Sequence, residues 1–317
     1  MKKGLLWICI ICLLANVNAQ FAGPAGSPNT TAIPADSNIF VAWASKCDLQ
    51  RGWLDIRKRG NMKATLGLAK DALGKAEGYV VSLGDSGIAT LQFLKPIYNG
   101  PSWDFAVFEN SFSDNFLELA FVEVSSNGKD FVRFLATCNQ SDTMQNGPFD
   151  LTSRPDLYNN LAGKYRGGFG TPFDLNELKD SSGLNINQIT HVRIIDVVGS
   201  VSDSFASYDM NGNPINDPFP TPFSSCGFDL DAVGVIHSTA SNKNISTSPA
   251  YWPNPANNII NIEKGFDGIV ELVNPMGQVV LRSSKNIIDV SELAQGLYSL
   301  RFTKNGISSS SLLIISR

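Results

Sequence analysis

The sequence predicts an all-β protein: a jelly-roll-like β-sandwich followed by a small immunoglobulin-like β-sandwich. Three observations predict it. Residues 87–93, 104–109 and 117–125 alternate apolar and polar side chains, the two-residue period of a strand with one buried face. Turn-forming pairs such as Asn-Gly, Asn-Pro and Met-Gly separate these runs. A 3.6-residue apolar period is missing from most segments, and only residues 64–75 and 174–178 read as short helices.

The chain opens with Lys2 and Lys3, then an apolar run over residues 4–15, too short to anchor in a bilayer. Val17-Asn18-Ala19 follows, a small-residue pattern that fits signal-peptidase cleavage before Gln20. Cys9 and Cys12 lie within the run, but Ile8 and Ile11 before them are too large for a lipoprotein signal. Residues 1–19 are therefore expected to be a secretory signal peptide, and no later stretch reads as a transmembrane segment. Its removal takes away two of 25 Lys+Arg and none of 29 Asp+Glu, leaving 23 against 29, a net charge of −6. An acidic surface without a basic stripe excludes a nucleic-acid partner.

Residues 20–37 are small and Pro/Gly-rich and read as an extended N-terminal segment. Residues 38–237 hold the strands of the larger sandwich, about 200 residues and enough for one domain. The run 117–125 reaches a tight turn at Ser126-Asn127-Gly128 and continues into 131–135. The nearly continuous apolar run 191–198 suits a central strand. Residues 238–250, rich in Ser, Thr and Asn, read as a linker.

The larger domain resembles a family of exported bacterial β-sandwich proteins, related in pattern to galactose-binding-like and discoidin-like jelly rolls. The segments that carry the resemblance are Ala72-Leu73-Gly74, Val80-Val81-Ser82-Leu83-Gly84-Asp85, Asp104-Phe105-Ala106-Val107-Phe108-Glu109-Asn110 and Gly227-Phe228-Asp229-Leu230-Asp231-Ala232-Val233. It implies a cell-surface domain and a fold that mostly binds ligands. Ser102-Trp103 departs from the pattern, where a small residue is expected after Pro101.

Asp209, Asn211, Asn213, Ile215 and Asp217 form the metal-ligand candidate. Side-chain oxygens at relative positions 1, 3, 5 and 9, with the Ile215 carbonyl at 7, match the spacing by which a tight loop wraps Ca2+. Gly212 comes one residue early and position 12 is Pro220, so a structural Ca2+ would need outside ligands such as Asp203 or Asp229. The competing reading is a polar surface turn. Tyr98 and Trp103 flank the turn at Asn99-Gly100-Pro101 and form the ligand-binding candidate, because rigid apolar rings at a loop tip suit sugars and apolar ligands. Phe219, Phe223, Tyr165 and Phe169 lie in similar loops; the competing reading is that such rings plug the open ends of the sandwich.

Glu109, Glu118 and Glu123 are the carboxylates that would serve a glycosidase, set against charged strand faces or a buried Glu109 bonded to loop backbone. The two histidines, His191 and His237, sit in strand-like runs with no nucleophile elbow nearby. Cys47, Cys138 and Cys226 remain after signal removal, an odd count that leaves their pairing open. Asp142-Thr143-Met144 matches a short O-glycosylation pattern.

Residues 251–317 begin Tyr251-Trp252-Pro253-Asn254-Pro255 and pass through Asn274-Pro275-Met276-Gly277. They close with Gly296-Leu297-Tyr298-Ser299-Leu300 and a tail ending in Arg317. Turn pairs between short β-branched runs predict about seven strands. The motif order resembles the type A C-terminal sorting domain of type IX secretion in Bacteroidota, with Tyr251, Pro253, Asn254, Pro255, Gly277, Gly296 and Tyr298 as motif residues. The resemblance implies passage through the type IX secretion machinery and delivery to the cell surface or medium. Taken together, these readings predict an exported, non-enzymatic binding protein for a glycan, a surface protein or a small nutrient such as a corrinoid. The alternatives are a secreted polysaccharide hydrolase and a structural adhesion protein.

Overall fold

The computed structural model describes residues 21–58, 60, 62–202, 204–238, 249–304 and 307–317. The expected signal peptide at 1–19, Asp203 and most of the linker at 238–250 lie outside the described residues. The chain divides into two compact units, one ending at Thr239 and the other beginning at Ala240.

The first unit is built on two antiparallel six-stranded sheets. One contains β1 (Ile33–Pro34), β2 (Ala42–Trp43), β4 (Val81–Ser82), β6 (Phe105–Glu109), β12 (Phe169–Phe173) and β14 (Asp229–Val235), in the order β1-β12-β6-β14-β2, with β4 beside β14. The other contains β3 (Lys46–Gln50), β5 (Ile88–Ile97), β7 (Ala120–Ser125), β8 (Val132–Arg133), β11 (Leu161–Ala162) and β13 (Ile189–Asp196), in the order β11-β7-β13-β5-β3, with β8 beside β7. A small ladder joins β9 (Thr137–Cys138) to β10 (Tyr158–Asn159).

The sheets pack face to face, because one apolar cluster draws side chains from both. Phe105, Val107, Leu230, Val233 and Val235 from the first sheet meet Leu91, Val122, Val124, Val192 and Ile194 from the second. The residues between them in sequence face outward: Ala106, Phe108 and Ala232 join a separate cluster on the far side of the first sheet. Both faces of β6 and β14 are therefore covered, and every residue of each is buried. Phe105, Phe134 and Phe173 form the thickest aromatic contact, with centroids 5.0–6.0 Å apart. The run expected to be central is central: β13 lies between β5 and β7.

The helix expected over 64–75 is a single 3-10 turn, Ala69–Ala72. Gly67, at φ +69°, interrupts it and lies so close to Val80 that a Cβ there would sit 2.0 Å from the Val80 carbonyl. The second expected helix is a 3-10 turn at Leu175–Leu178, begun by Asp174 accepting from the N–H of Asn176. Among the described residues there is no α-helix, and none long and apolar enough to cross a membrane.

The second unit has seven strands in two sheets. β15 (Tyr251–Trp252), β16 (Ile259–Ile262) and β19 (Ile287–Asp289) form one. β17 (Ile269–Val273), β18 (Val279–Ser283), β20 (Gly296–Lys304) and β21 (Ile307–Ile315) form the other. Ile260, Ile262, Ile288, Val270, Leu272, Leu300, Phe302 and Leu313 make their shared core.

Candidate functional site

Register gathers the long loops of the first unit at one end. Leu230 at the start of β14 pairs with Glu109 at the end of β6. Asp196 at the end of β13 pairs with Ala120 at the start of β7. Residues 110–119 and 197–228 therefore leave the sandwich together. The segment 139–154 joins them: Asn146 N–H donates to Asn216 Oδ1 (2.9 Å), Gln145 Nε2 to the Gly199 carbonyl (2.9 Å), and Phe219 N–H to the Asn146 carbonyl (3.0 Å). These loops hold Phe112, Met144, Phe149, Leu151, Tyr208, Met210 and Phe223, all exposed. Phe149 and Phe223, 67% and 41% exposed, lie 5.4 Å apart between ring centroids and 31° from parallel. Phe112 stacks on Phe116 at 4.6 Å.

Beneath the loops the inter-sheet core becomes acidic. The alternation that turns Phe105 and Val107 inward carries Glu109 to the same face. Ala120 and Val122 do the same for Glu118, and Val192 and Ile194 for Asp196. Glu109 Oε2 accepts from the Ser111 N–H at 2.9 Å and from its hydroxyl, while Glu109 Oε1 is buried with no hydrogen-bond partner among the described residues. The Glu118 carboxylate receives no hydrogen bond from any described residue, although the residue is only 7% exposed. Asp196 accepts from the N–H groups of Ser86 (2.9 Å) and Phe228 (2.7 Å), one on each oxygen. Asp217 Oδ1 accepts from the Leu119 N–H at 3.0 Å.

Burial disfavours the charged form of each of these acids. It pushes Glu109 up to about 8, with the Asp229 charge adding to it. Glu118 is raised well above the carboxylate range by burial and then by Asp229, Glu109, Asp217 and Asp196. Asp196 and Asp217 are raised likewise, burial first and neighbouring carboxylates after. Arg51 is the cation felt by Asp229, which burial still lifts to about 6. The guanidinium of Arg51 is spent on the carbonyls of Leu66, Ser82 and Gly67.

Of the calcium-loop residues, Asp209, Asn211 and Asn213 share one turn, while Ile215 and Asp217 face other surroundings. Asp209 Oδ1 accepts from the N–H groups of Asn211 and Asn213 (2.9 Å each), and Oδ2 from that of Cys138 (3.1 Å). Asp209 thus organises the turn as an N–H acceptor, and those bonds outweigh burial to lower its pKa. Ile215 is a core side chain, and Asp217 turns inward to the acidic cluster. Among the described residues, no three His, Cys, Asp or Glu side chains converge to hold a metal ion as they stand.

Tyr98 lies against His237 at 5.6 Å. Trp103 packs against the outer cluster of Ala106, Phe108 and Ala232. Of the other loop aromatics, Tyr165 and Phe219 are buried, as plugs are. Glu123 is held between Arg133 and Arg193 in an ion-pair network. His237 Nδ1 and Asp104 Oδ1 are 2.8 Å apart, and His191 Nδ1 meets the Thr190 hydroxyl. The three cysteines are free. Thr143, in the O-glycosylation pattern, is exposed. The acidic cluster was only partly legible: a buried Glu109 bonded to loop backbone was one of the sequence readings, but nothing local joined it to Asp196, Asp217 and Asp229.

In the second unit the motif residues form a clasp and two turns. The Tyr251 hydroxyl and Asn254 Nδ2 both donate to the Leu312 carbonyl (2.7 and 2.8 Å), and Asn254 Oδ1 accepts from the Ile314 N–H (2.9 Å). The peptide bonds before Pro253 and Pro255 are cis. Gly277, at φ +81°, completes the turn in which Asn274 Oδ1 accepts from Met276 and Gln278. Gly296 begins β20, and the Tyr298 hydroxyl donates to the Ala294 carbonyl at 2.9 Å. Arg317 Nη2 reaches the carbonyls of Val290, Ser291 and Leu293 at 2.5–3.0 Å.

Residues 250–316 match the family model of the secretion system C-terminal sorting domain. The protein carries a type IX sorting domain, engages that machinery, and is exported to the cell surface or secreted. No curated protein matches the chain. Among solved structures, a β-glucuronidase of Ruminococcus gnavus is similar at 11% identity and TM-score 0.21, over 86% of this chain and 43% of that one. The BSP domain of a biofilm-associated protein is similar at 9% identity and TM-score 0.20, over 88% of this chain and 52% of that one. The chain thus spans about half the length of these structures, or less.

Proposed function

We propose that the first unit is a jelly-roll-like, non-enzymatic binding module that the sorting domain delivers outside the cell, and that it takes a glycan at its loop end. The observation that carries this reading is the exposed Phe149–Phe223 pair, 5.4 Å apart, among loops that register gathers at one end. Two exposed rings, tilted 31° to each other, offer rigid apolar faces that suit the C–H face of a sugar and lose little side-chain entropy on binding. Asp150, next to Phe149 in sequence, is exposed and accepts from the Gly147 N–H through one oxygen, which leaves its other oxygen for a sugar hydroxyl. Glu109 and Glu118 are buried beneath these loops, which favours binding over a hydrolase that uses them as an exposed acid pair.

A glycan array probed with the mature protein tests this, with corrinoid binding measured in parallel. Phe149→Ala and Phe223→Ala are each expected to abolish the glycan signal while the melting temperature stays within a few degrees. Trp103→Ala is expected to leave it intact. A glycan signal that survives both phenylalanine variants would sink the loop-end reading. Turnover of a polysaccharide that disappears in Glu118→Gln would establish the hydrolase instead.

A further inference from the structure

We propose that Glu109, Glu118 and Asp217 bind one Ca2+ between the two sheets at the loop end, with Asp229 as the nearest further carboxylate. Three independent features converge on this. Strand parity turns Glu109 inward from β6, and the alternation of Ala120 and Val122, carried back two residues before β7, turns Glu118 toward the same inter-sheet space, where the two carboxyls act on each other. Asp217 is fixed beside them through the Leu119 N–H, the residue next to Glu118. Glu109 Oε1, fully buried, has no hydrogen-bond partner, so the space contains an acceptor that nothing described satisfies.

Elsewhere in the same end, buried acids are provided for. Asp196 has an N–H on each oxygen, and Asp229 has the Ser82 hydroxyl and the field of Arg51. None of Glu109, Glu118 and Asp217 forms an ion pair with a described Lys or Arg. Removing several carboxylates from water without a counter-charge is costly, and a divalent cation offsets that cost in one step.

The donors are all oxygens, which suits a hard cation. Both histidines are engaged away from the cluster, His237 by Asp104 and His191 by Thr190. Ca2+ fits better than Mg2+ because its longer, irregular coordination tolerates carboxylates from separate loops and strands. The three side chains do not converge as they stand. Binding therefore requires Glu109 Oε1 and Glu118 to swing together by side-chain rotation, with backbone carbonyls or water completing the shell. The site differs from the 209–217 loop spacing and shares only Asp217 with it.

The test is calorimetric titration of the chelator-treated, full mature protein with Ca2+ alone, and with Mg2+ or Zn2+ alone. One Ca2+ per chain is expected, with Kd at or below about 1 mM, the range of extracellular modules. Glu109→Gln and Glu118→Gln, near-isosteric and relieving repulsion, are each expected to weaken Ca2+ by about tenfold or more through lost ligand charge. Asp209→Asn is expected to leave it unchanged. Metal analysis of the untreated protein gives a second readout that needs no variant to fold: one Ca2+ per chain supports the site. A Ca2+ isotherm that is flat, or unaltered in both glutamate variants, would overturn the proposal, as would preference for Zn2+.

Discussion

Asp217 Oδ1 accepts a hydrogen bond from the backbone N–H of Leu119 at 3.0 Å, and both groups are buried. This bond ties the 32-residue loop between β13 and β14 to the strand lead-in that carries Glu118. It uses one oxygen of a carboxylate whose ionisation burial opposes. Asp217→Ala leaves the Leu119 N–H unpaired and is expected to cost about 1–3 kcal/mol. Asp217→Asn keeps the acceptor and removes the charge. In chelator at pH 8 it is expected to melt at or above the wild-type temperature, and a lower melting point would show that the charge is not a burden there.

The acidic cluster fixes the sign of the pH dependence. Facing it are Glu109 from β6, Glu118 before β7, Asp196 from β13, Asp85, Asp217 and Asp229, with Arg51 as the cation felt by Asp229. Folding raises these carboxyls, so between the unfolded and folded values the native state holds more protons than the unfolded chain. Stability then falls as pH rises. With Glu109 moving from 4.5 to about 8 and Asp229 from 3.8 to about 6, the share of the fall from these two should run from about pH 4 to about pH 8. Melting temperatures in chelator across that range check it. Saturating Ca2+ should flatten the fall, because it favours the ionised form.

Asp104 is a second buried acid, but its neighbours are donors. It accepts from the N–H groups of Gly100 and Leu175 at 2.7 Å each, and from His237 at 2.8 Å. The bond to Gly100 closes the turn between Tyr98 and Trp103. Asp104→Ala strands those donors and is expected to destabilise by about 3 kcal/mol. Faster proteolysis near residue 100, measured beside the melting curve, would locate the damage. An unchanged melting point would refute the assignment.

Burial pushes the Cys47 and Cys138 thiols up to about 11 and Cys226 up to about 12. Thiolate is the reactive form, so all three should alkylate slowly in the native protein. Cys47, the one not fully buried, should react first. Peptide mapping after brief iodoacetamide treatment gives the order. A reductant should leave the melting temperature unchanged, since the three described cysteines are free.

Asn254 makes the clasp of the sorting unit, with one donor to Leu312 and one acceptor for Ile314. Asn254→Ala is expected to cost that unit about 1–2 kcal/mol and to reduce export. Deleting residues 251–317 should leave the protein in the periplasm. Surface or medium levels equal to wild type in the deletion would refute dependence on this domain.

The sequence by itself determined the all-β class, because the two-residue alternation of 87–93, 104–109 and 117–125 is a local property of strands. It also determined the sorting module, whose turn residues such as Asn274 and Gly277 act within a few positions of one another. The short helix expected at 64–75 shrinks to Ala69–Ala72 because the obstacle, the Val80 carbonyl against Gly67, arrives from a neighbouring segment. The calcium spacing of Asp209 to Asp217 was legible as a pattern. Only the tertiary fold decided that Asp209 would serve backbone N–H groups while Asp217 turned to Leu119. The same holds for the two features on which the proposals rest. Phe149 and Phe223 lie 74 positions apart, and Glu109, Glu118, Asp196, Asp217 and Asp229 come from both sheets and the loop between them. Side-chain parity reports which face a residue takes, but antiparallel register between distant strands decides which faces meet.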